Sequence, residues 1–292
     1  MQYTIKNTFL SMTIDTLGAQ MISVKNNLGK ELLWQGDNQL WADHAPILFP
    51  YAGRIKDGKF SVDGTCYPAP VHGFIRNVEH TLTLQENNML TFEYTQNSDG
   101  RKLFPFDFSF KTSYILSGHS VHQKVYVKNV GRRSFGFGLG FHPGFNVPFD
   151  EKHTASDYFL EFDTPQRPFS LCTDGDVLMN GKYSIYGDNV KKIPLEDDFL
   201  KGESLILSNL TAKFVSIVER GTGRRIEFNI QHFPYLVVWT AHCPTMKFLC
   251  IEPWLTLPDS SDAPMEWKEK KHFKTLEPSG EFYILNRMKI TV

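Results

Sequence analysis

The chain lacks an excess of charge of either sign: its 292 residues carry 31 Lys and Arg against 32 Asp and Glu. Phosphate backbones and anionic membrane surfaces select for a basic surplus, so nucleic acid and membrane are not expected as partners. Cysteine is scarce. Cys66, Cys172, Cys243 and Cys250 form no CxxC pair, and Cys243 and Cys250, at odd spacing, would fall on opposite faces of a strand. Neither a zinc site nor a disulfide framework is expected. No apolar run reaches membrane-spanning length, and the N-terminus has neither the basic opening nor the apolar stretch of a signal peptide. These absences predict a cytoplasmic protein. Helical periodicity is missing too, since no long segment places apolar residues at i, i+3, i+4 and i+7. Helix is expected only as short turns near residues 38–42 and 197–202.

What is present is apolar and aromatic. Hydrophobic residues make up 41% and charged residues 22% of the chain, enough to bury a substantial core. Aromatics reach 14%, with 24 Phe, 11 Tyr and 5 Trp; such residues suit half-buried pleated surfaces and offer flat faces to ligands. Period-two alternation recurs throughout. Leu82 and Leu84, then Asn87-Asn88, then Leu90, Phe92 and Tyr94 read as strand, turn, strand. Residues 12–24 followed by a turn at 26–29 and by 32–34 repeat the pattern, as do 214–218, Gly221-Thr222-Gly223 and 226–230. Phe106, Phe108, Phe110 and then Val121, Val125, Val127 add further strands. Short-spaced antiparallel strands argue for packed sheets rather than βαβ units, and residues 1–292 are expected to form one large all-β sandwich. Residues 258–280, with three prolines and the run Lys268-Glu269-Lys270-Lys271, read as a solvated surface loop.

Three stretches could carry chemistry. In Lys247-Phe248-Leu249-Cys250-Ile251-Glu252-Pro253-Trp254, alternation puts Phe248, Cys250 and Glu252 on one face and Leu249 and Ile251 on the other. Glu252 then points into an apolar setting, where desolvation raises a carboxyl toward the range of a general base. The simpler alternative is a strand-end Glu reaching solvent. In Phe135-Gly136-Phe137-Gly138-Leu139-Gly140-Phe141-His142-Pro143-Gly144, a continuous strand would set the phenylalanines and Leu139 on a core face. Gly136, Gly138, Gly140 and His142 would lie on a bare face open to a ligand. The spacing fails GxGxxG, so no dinucleotide site is expected. Finally, Val71-His72-Gly73-Phe74-Ile75-Arg76 and Leu48-Phe49-Pro50-Tyr51-Ala52-Gly53-Arg54-Ile55 place His72, Arg76 and Arg54 on loops, where binding residues collect. Trp34, Trp41 and Trp239 are candidate platforms for sugar C–H faces, with core or rim packing the default for any single one. His119 and His122 lack metal-ligand spacing, and no metal or cofactor is expected.

Taken in order, Gly53-Arg54-Ile55, His72-Gly73-Phe74 with Arg76, Phe141-His142-Pro143 with Phe145-Asn146, residues 235–239 and Ile251-Glu252-Pro253-Trp254 resemble the aldose 1-epimerase (galactose mutarotase-like) superfamily. The likeness spans nearly the whole chain and is nearest the LacX-like branch, with the glucose-6-phosphate 1-epimerase branch close by. It implies a β-supersandwich of the galactose mutarotase type and an isomerase that opens and recloses a hexose ring. It further implies Glu252 as general base, His142 as general acid, His72 near the ring oxygen, Arg54 on sugar hydroxyls and Trp239 shaping the pocket. No family aspartate aligns between the His and Glu motifs; Glu203 stands nearest. Arg76 resembles the phosphate-binding branch, so Arg54 with Arg76 leaves a free hexose and a hexose phosphate both open. A non-catalytic sugar-binding protein is the alternative, while a glycosidase would need a second carboxylate. The implied partner is a small sugar or sugar phosphate, bound by a monomer or homodimer.

Overall fold

The computed structural model describes residues 1–175 and 177–292. Strand accounts for 50% of the chain and helix for 7%, as the missing helical periodicity requires. A nine-stranded antiparallel sheet runs in the order Val190–Pro194, Tyr158–Gln166, Phe214–Glu219, Arg225–Asn229, Glu281–Thr291, Ser120–Asn129, Phe108–Ser117, Met89–Thr95 and Thr81–Gln85. A second sheet runs Met179–Ile185, Phe169–Thr173, Leu205–Ser208, Tyr235–Trp239, Phe248–Trp254, Gly140–Phe141 and Ile47–Leu48, with Gly144–Asn146 also paired to Phe248–Trp254. A three-stranded sheet of Gln2–Lys6, Leu10–Asp15 and Gln20–Asn26 covers the N-terminal end. The arrangement is a β-supersandwich. Among the described residues, no helix is long and apolar enough to cross a membrane.

Side-chain alternation decides which face is core. Leu205, Leu207, Leu236, Val238, Leu249 and Ile251 point inward and pack with Leu160, Phe162, Val215 and Ile217 of the larger sheet. Their strand neighbours Ile206, Val237 and Glu252 necessarily face the other way, into a cavity. A second core absorbs much of the aromatic content: Phe49, Phe104, Phe108, Phe110, Phe135 and Phe137 are buried together, with the Phe49 and Phe110 ring centroids 4.9 Å apart. Aromatic pairs at such separations add to the burial of apolar area.

Two sequence expectations are corrected. The glycine series is three short strands, Phe135–Phe137, Gly140–Phe141 and Gly144–Asn146, and its glycine face is not bare. A Cβ at Gly136 would lie 3.1 Å from Phe273, at Gly138 2.1 Å from Thr256 Oγ1, and at Gly140 2.6 Å from Trp254 Cδ1. The missing side chains admit neighbouring side chains rather than a ligand. Residues 258–280 are likewise more than a solvated loop: Trp267 and Lys270 are buried, and Lys274–Leu276 pairs with Phe135–Phe137. Lys270 sits inside because Asp259 supplies its counter-charge.

Candidate active site

A cavity of about 880 Å³ opens on the face of the seven-strand run opposite the core, and Glu252, His142, His72, Arg54, Arg76, Trp239 and Glu203 all line it. Glu252 stands on the central strand Phe248–Trp254, every residue of which is buried, with Val237 beside it in register. His142 follows Gly140–Phe141, and its backbone N–H donates to the Pro46 carbonyl at 3.1 Å. These two elements bring His142 Nε2 to 3.4 Å from Glu252 Oε2. The side chains are 8% and 1% exposed, so neither is solvated as an ion. Burial pushes the Glu252 carboxyl well above its usual range. Burial, then the neighbouring His72 and Arg76, pushes His142 well below the ordinary imidazole value. The two proton affinities thus move toward one another from opposite sides.

His72 occupies a turn that only local hydrogen bonds make tenable. Its φ is +67°, and Gly73 follows at +73°; a Cβ on Gly73 would sit 2.1 Å from the Phe49 carbonyl oxygen, so glycine is required there. The His72 N–H donates to the Gly53 carbonyl at 2.8 Å, and the Gly53 N–H donates back to His72 Nδ1 at 3.0 Å. A backbone donor at Nδ1 leaves the ring proton on Nε2, so His72 is a neutral donor. Burial, then the charges of Arg76 and Arg54, agrees by lowering its pKa to about 3.

Arg54 is exposed at the cavity wall. Arg76 is not a free fork: its Nη1 donates to Asp43 Oδ2 at 2.9 Å. Asp43, which the sequence reading missed, lines the same cavity, as does Asp174; no spacing ties Asp43 to Arg76, 33 residues away. Asp174 lies between the His and Glu motifs, where the resemblance offered only Glu203. Glu203 itself is exposed. Trp41 stacks on His142 with centroids 4.7 Å apart, and Trp239 meets the same ring edge-on at 5.6 Å. Trp34 lies instead against a separate groove, where its Nε1–H donates to the Trp41 carbonyl at 2.9 Å.

Eight buried side-chain polar atoms lack a hydrogen-bond partner among the described residues, and four of them belong to cavity residues: Arg76 Nε, His142 Nδ1, Glu252 Oε2 and Trp254 Nε1. Buried polar groups are ordinarily paired, so their concentration here marks a site built for a polar ligand. Among the described residues, two groupings have the side-chain geometry to hold a cation: His142, Cys250 and Glu252, and Asp150, His153 and Glu219. In the second, Arg224 pairs with both Asp150 and Glu219. In the first, burial and Glu252 keep the Cys250 thiol well above its usual pKa.

The site is thus a polar, tryptophan-walled cavity on a supersandwich, with a carboxyl and an imidazole paired at its floor. The aldose 1-epimerase family model matches residues 1–266, and the chain belongs to that family. It is 28% identical over 265 residues to the chromosomal LacX protein of Lactococcus lactis subsp. lactis, covering 88% of each chain. A galactose mutarotase related enzyme from Lactobacillus acidophilus superposes with a TM-score of 0.93 at 29% identity, over 100% of this chain and 98% of that one. A galactose mutarotase-like protein from Lactobacillus casei gives 0.91 at 29%, over 100% of both.

Proposed function

We propose that this chain is an aldose 1-epimerase that interconverts the α and β anomers of a neutral aldohexose. The reactive form is the minor one in which the pair's single proton has passed from Glu252 to His142. In the forward direction Glu252, then a carboxylate, takes the proton from the anomeric hydroxyl while His142, then an imidazolium, gives one to the ring oxygen. The O1–H electrons form the carbonyl, the C1–O5 pair leaves with O5, and rotation about C1–C2 followed by the reverse transfers closes the other anomer. The pair holds one transferable proton before and after. A carboxyl raised by burial is a stronger base and an imidazole lowered by burial a stronger acid, so desolvation favours both transfers. His72 Nε2–H and Arg54 serve as donors to sugar oxygens, Trp239 shapes the wall, and Glu203 contributes at the rim.

The observation that carries this reading is the His142–Glu252 pair at 3.4 Å among unpartnered buried polar atoms. A binder needs no matched acid and base. The free sugar is favoured over its phosphate because Asp43 already engages Arg76, and Asp43, Asp174 and Glu203 set three acidic residues against two arginines. We take residues 1–292 to act as one unit in the cytoplasm. Polarimetry of freshly dissolved α-D-glucose and α-D-galactose, with a coupled assay on glucose 6-phosphate, tests the proposal. Acceleration of a free hexose supports it. Heats of sugar binding without acceleration would establish a sugar-binding protein instead, and preference for the phosphate would overturn the substrate class.

A further inference from the structure

The ion pair of Asp259 and Lys270 lies outside the cavity, yet it is bonded to two of the cavity's walls. Its side chains are 7% and 1% exposed. The Asp259 N–H donates to the Arg54 carbonyl at 2.9 Å, and its Oδ2 accepts from the Lys56 N–H at 3.0 Å. The turn that carries Arg54 is therefore held from both ends by one residue. The Asp259 carbonyl accepts from the Met179 N–H at 2.8 Å, and Met179 pairs in register with Thr173, which with Asp174 and Gly175 forms another wall. Pro258 closes against the turn: a Cβ on Gly53 would meet its Cγ at 2.4 Å. Lys270 also donates to the Pro264 carbonyl at 2.9 Å, which fixes the ammonium in place. A carboxylate removed from water needs such a counter-charge to stay where it is.

The geometry points to Asp259 and Lys270 as positioning residues that set the distance between the Arg54 turn and the Asp174 wall, and hence the affinity for the sugar. They touch neither substrate nor the proton-transfer pair, so their loss changes binding rather than chemistry. This inference rests on the cavity being the sugar site. Lys270→Met strands the Asp259 charge. It should raise KM and the calorimetric Kd of the preferred hexose about tenfold while kcat stays within about twofold, since small displacements of binding groups weaken binding steeply. Backbone amide exchange at Lys56 and Met179 should quicken about tenfold in parallel. The double variant Asp259→Asn/Lys270→Met removes the stranded charge and keeps an oxygen for the Lys56 N–H, so it should recover most of both effects.

A folded Lys270→Met with unchanged KM, Kd and exchange overturns the inference, and so does a fall in kcat at constant KM. If that variant does not fold, Asp259→Asn alone should give the same changes at about threefold, and their absence is equally decisive. Should the wild type accelerate no sugar, the proposed function falls while exchange at Lys56 and Met179 still decides the role of the pair.

Discussion

Glu252→Gln replaces one carboxyl oxygen by an NH2 of nearly the same volume, at a position where the chain already buries a carboxyl that burial drives toward its neutral form. Exchanging a neutral acid for a neutral amide of equal size in a packed site should alter folding stability by less than about 1.5 kcal/mol. The rate is another matter. The amide cannot take a proton, and loss of a positioned general base costs about 10²- to 10⁴-fold; the 3.4 Å approach of His142 Nε2 to Glu252 Oε2 places the pair within reach of one sugar ring. We expect kcat to fall about 10³-fold, equivalent to about 4 kcal/mol of transition-state stabilisation. Because the amide keeps the carbonyl oxygen, sugar Kd should move by less than about fivefold. Polarimetric rates, thermal melting and calorimetry on the same preparation separate the three quantities. A folded variant whose kcat stays within about tenfold of wild type would refute Glu252 as the base.

The pH profile of kcat/KM should be bell-shaped, with limbs that belong to the pair: a second proton on His142 lowers activity on the acid side below its ordinary value of 6.5, and loss of the shared proton lowers it on the alkaline side. His142→Asn should lose about 10²-fold or more in kcat and abolish the acid limb; an unchanged limb would assign it elsewhere. Asp43→Asn frees Arg76 for a phosphate, so activity on glucose 6-phosphate should rise relative to the free hexose; an unaltered ratio would remove Asp43 from specificity. Gly140→Ala forces a Cβ to 2.6 Å from the Trp254 indole and should cost about 1–3 kcal/mol by overpacking, together with activity. His80, whose pKa burial lowers to about 4 from 6.5, binds its proton more readily when unfolded. Its contribution to stability is complete above about pH 6.5 and is lost as pH falls toward 4, and His80→Asn should reduce the slope there by about 1.4 kcal/mol per pH unit, read from urea melts at several pH values.

Much of the fold was legible because strand alternation is a local property: parity along Phe248–Trp254 sends Leu249 and Ile251 to one face and Glu252 to the other without reference to any other segment, whereas the rest of the fold makes the first face core and the second a cavity. The same parity placed Phe135, Phe137, Leu139 and Phe141 inside. It failed for the glycines between them, since what fills the space above a glycine comes from elsewhere in the chain: Phe273, Thr256 and Trp254. Composition misled in residues 258–280 for a related reason. A charge run is solvated unless folding brings an opposite charge onto one of its members, and Asp259, 11 residues earlier in the same segment, is folded back onto Lys270.

By itself the sequence determined the all-β architecture, the ordered motifs and the parity that separates Glu252 from Leu249 and Ile251, because backbone periodicity and residue type suffice for these. Only the tertiary structure decided that His142 and Glu252 meet, that a backbone N–H fixes the tautomer of His72, and that Asp43 engages Arg76. These facts depend on distance and burial between segments far apart in the chain, and it is burial that sets where the protons reside.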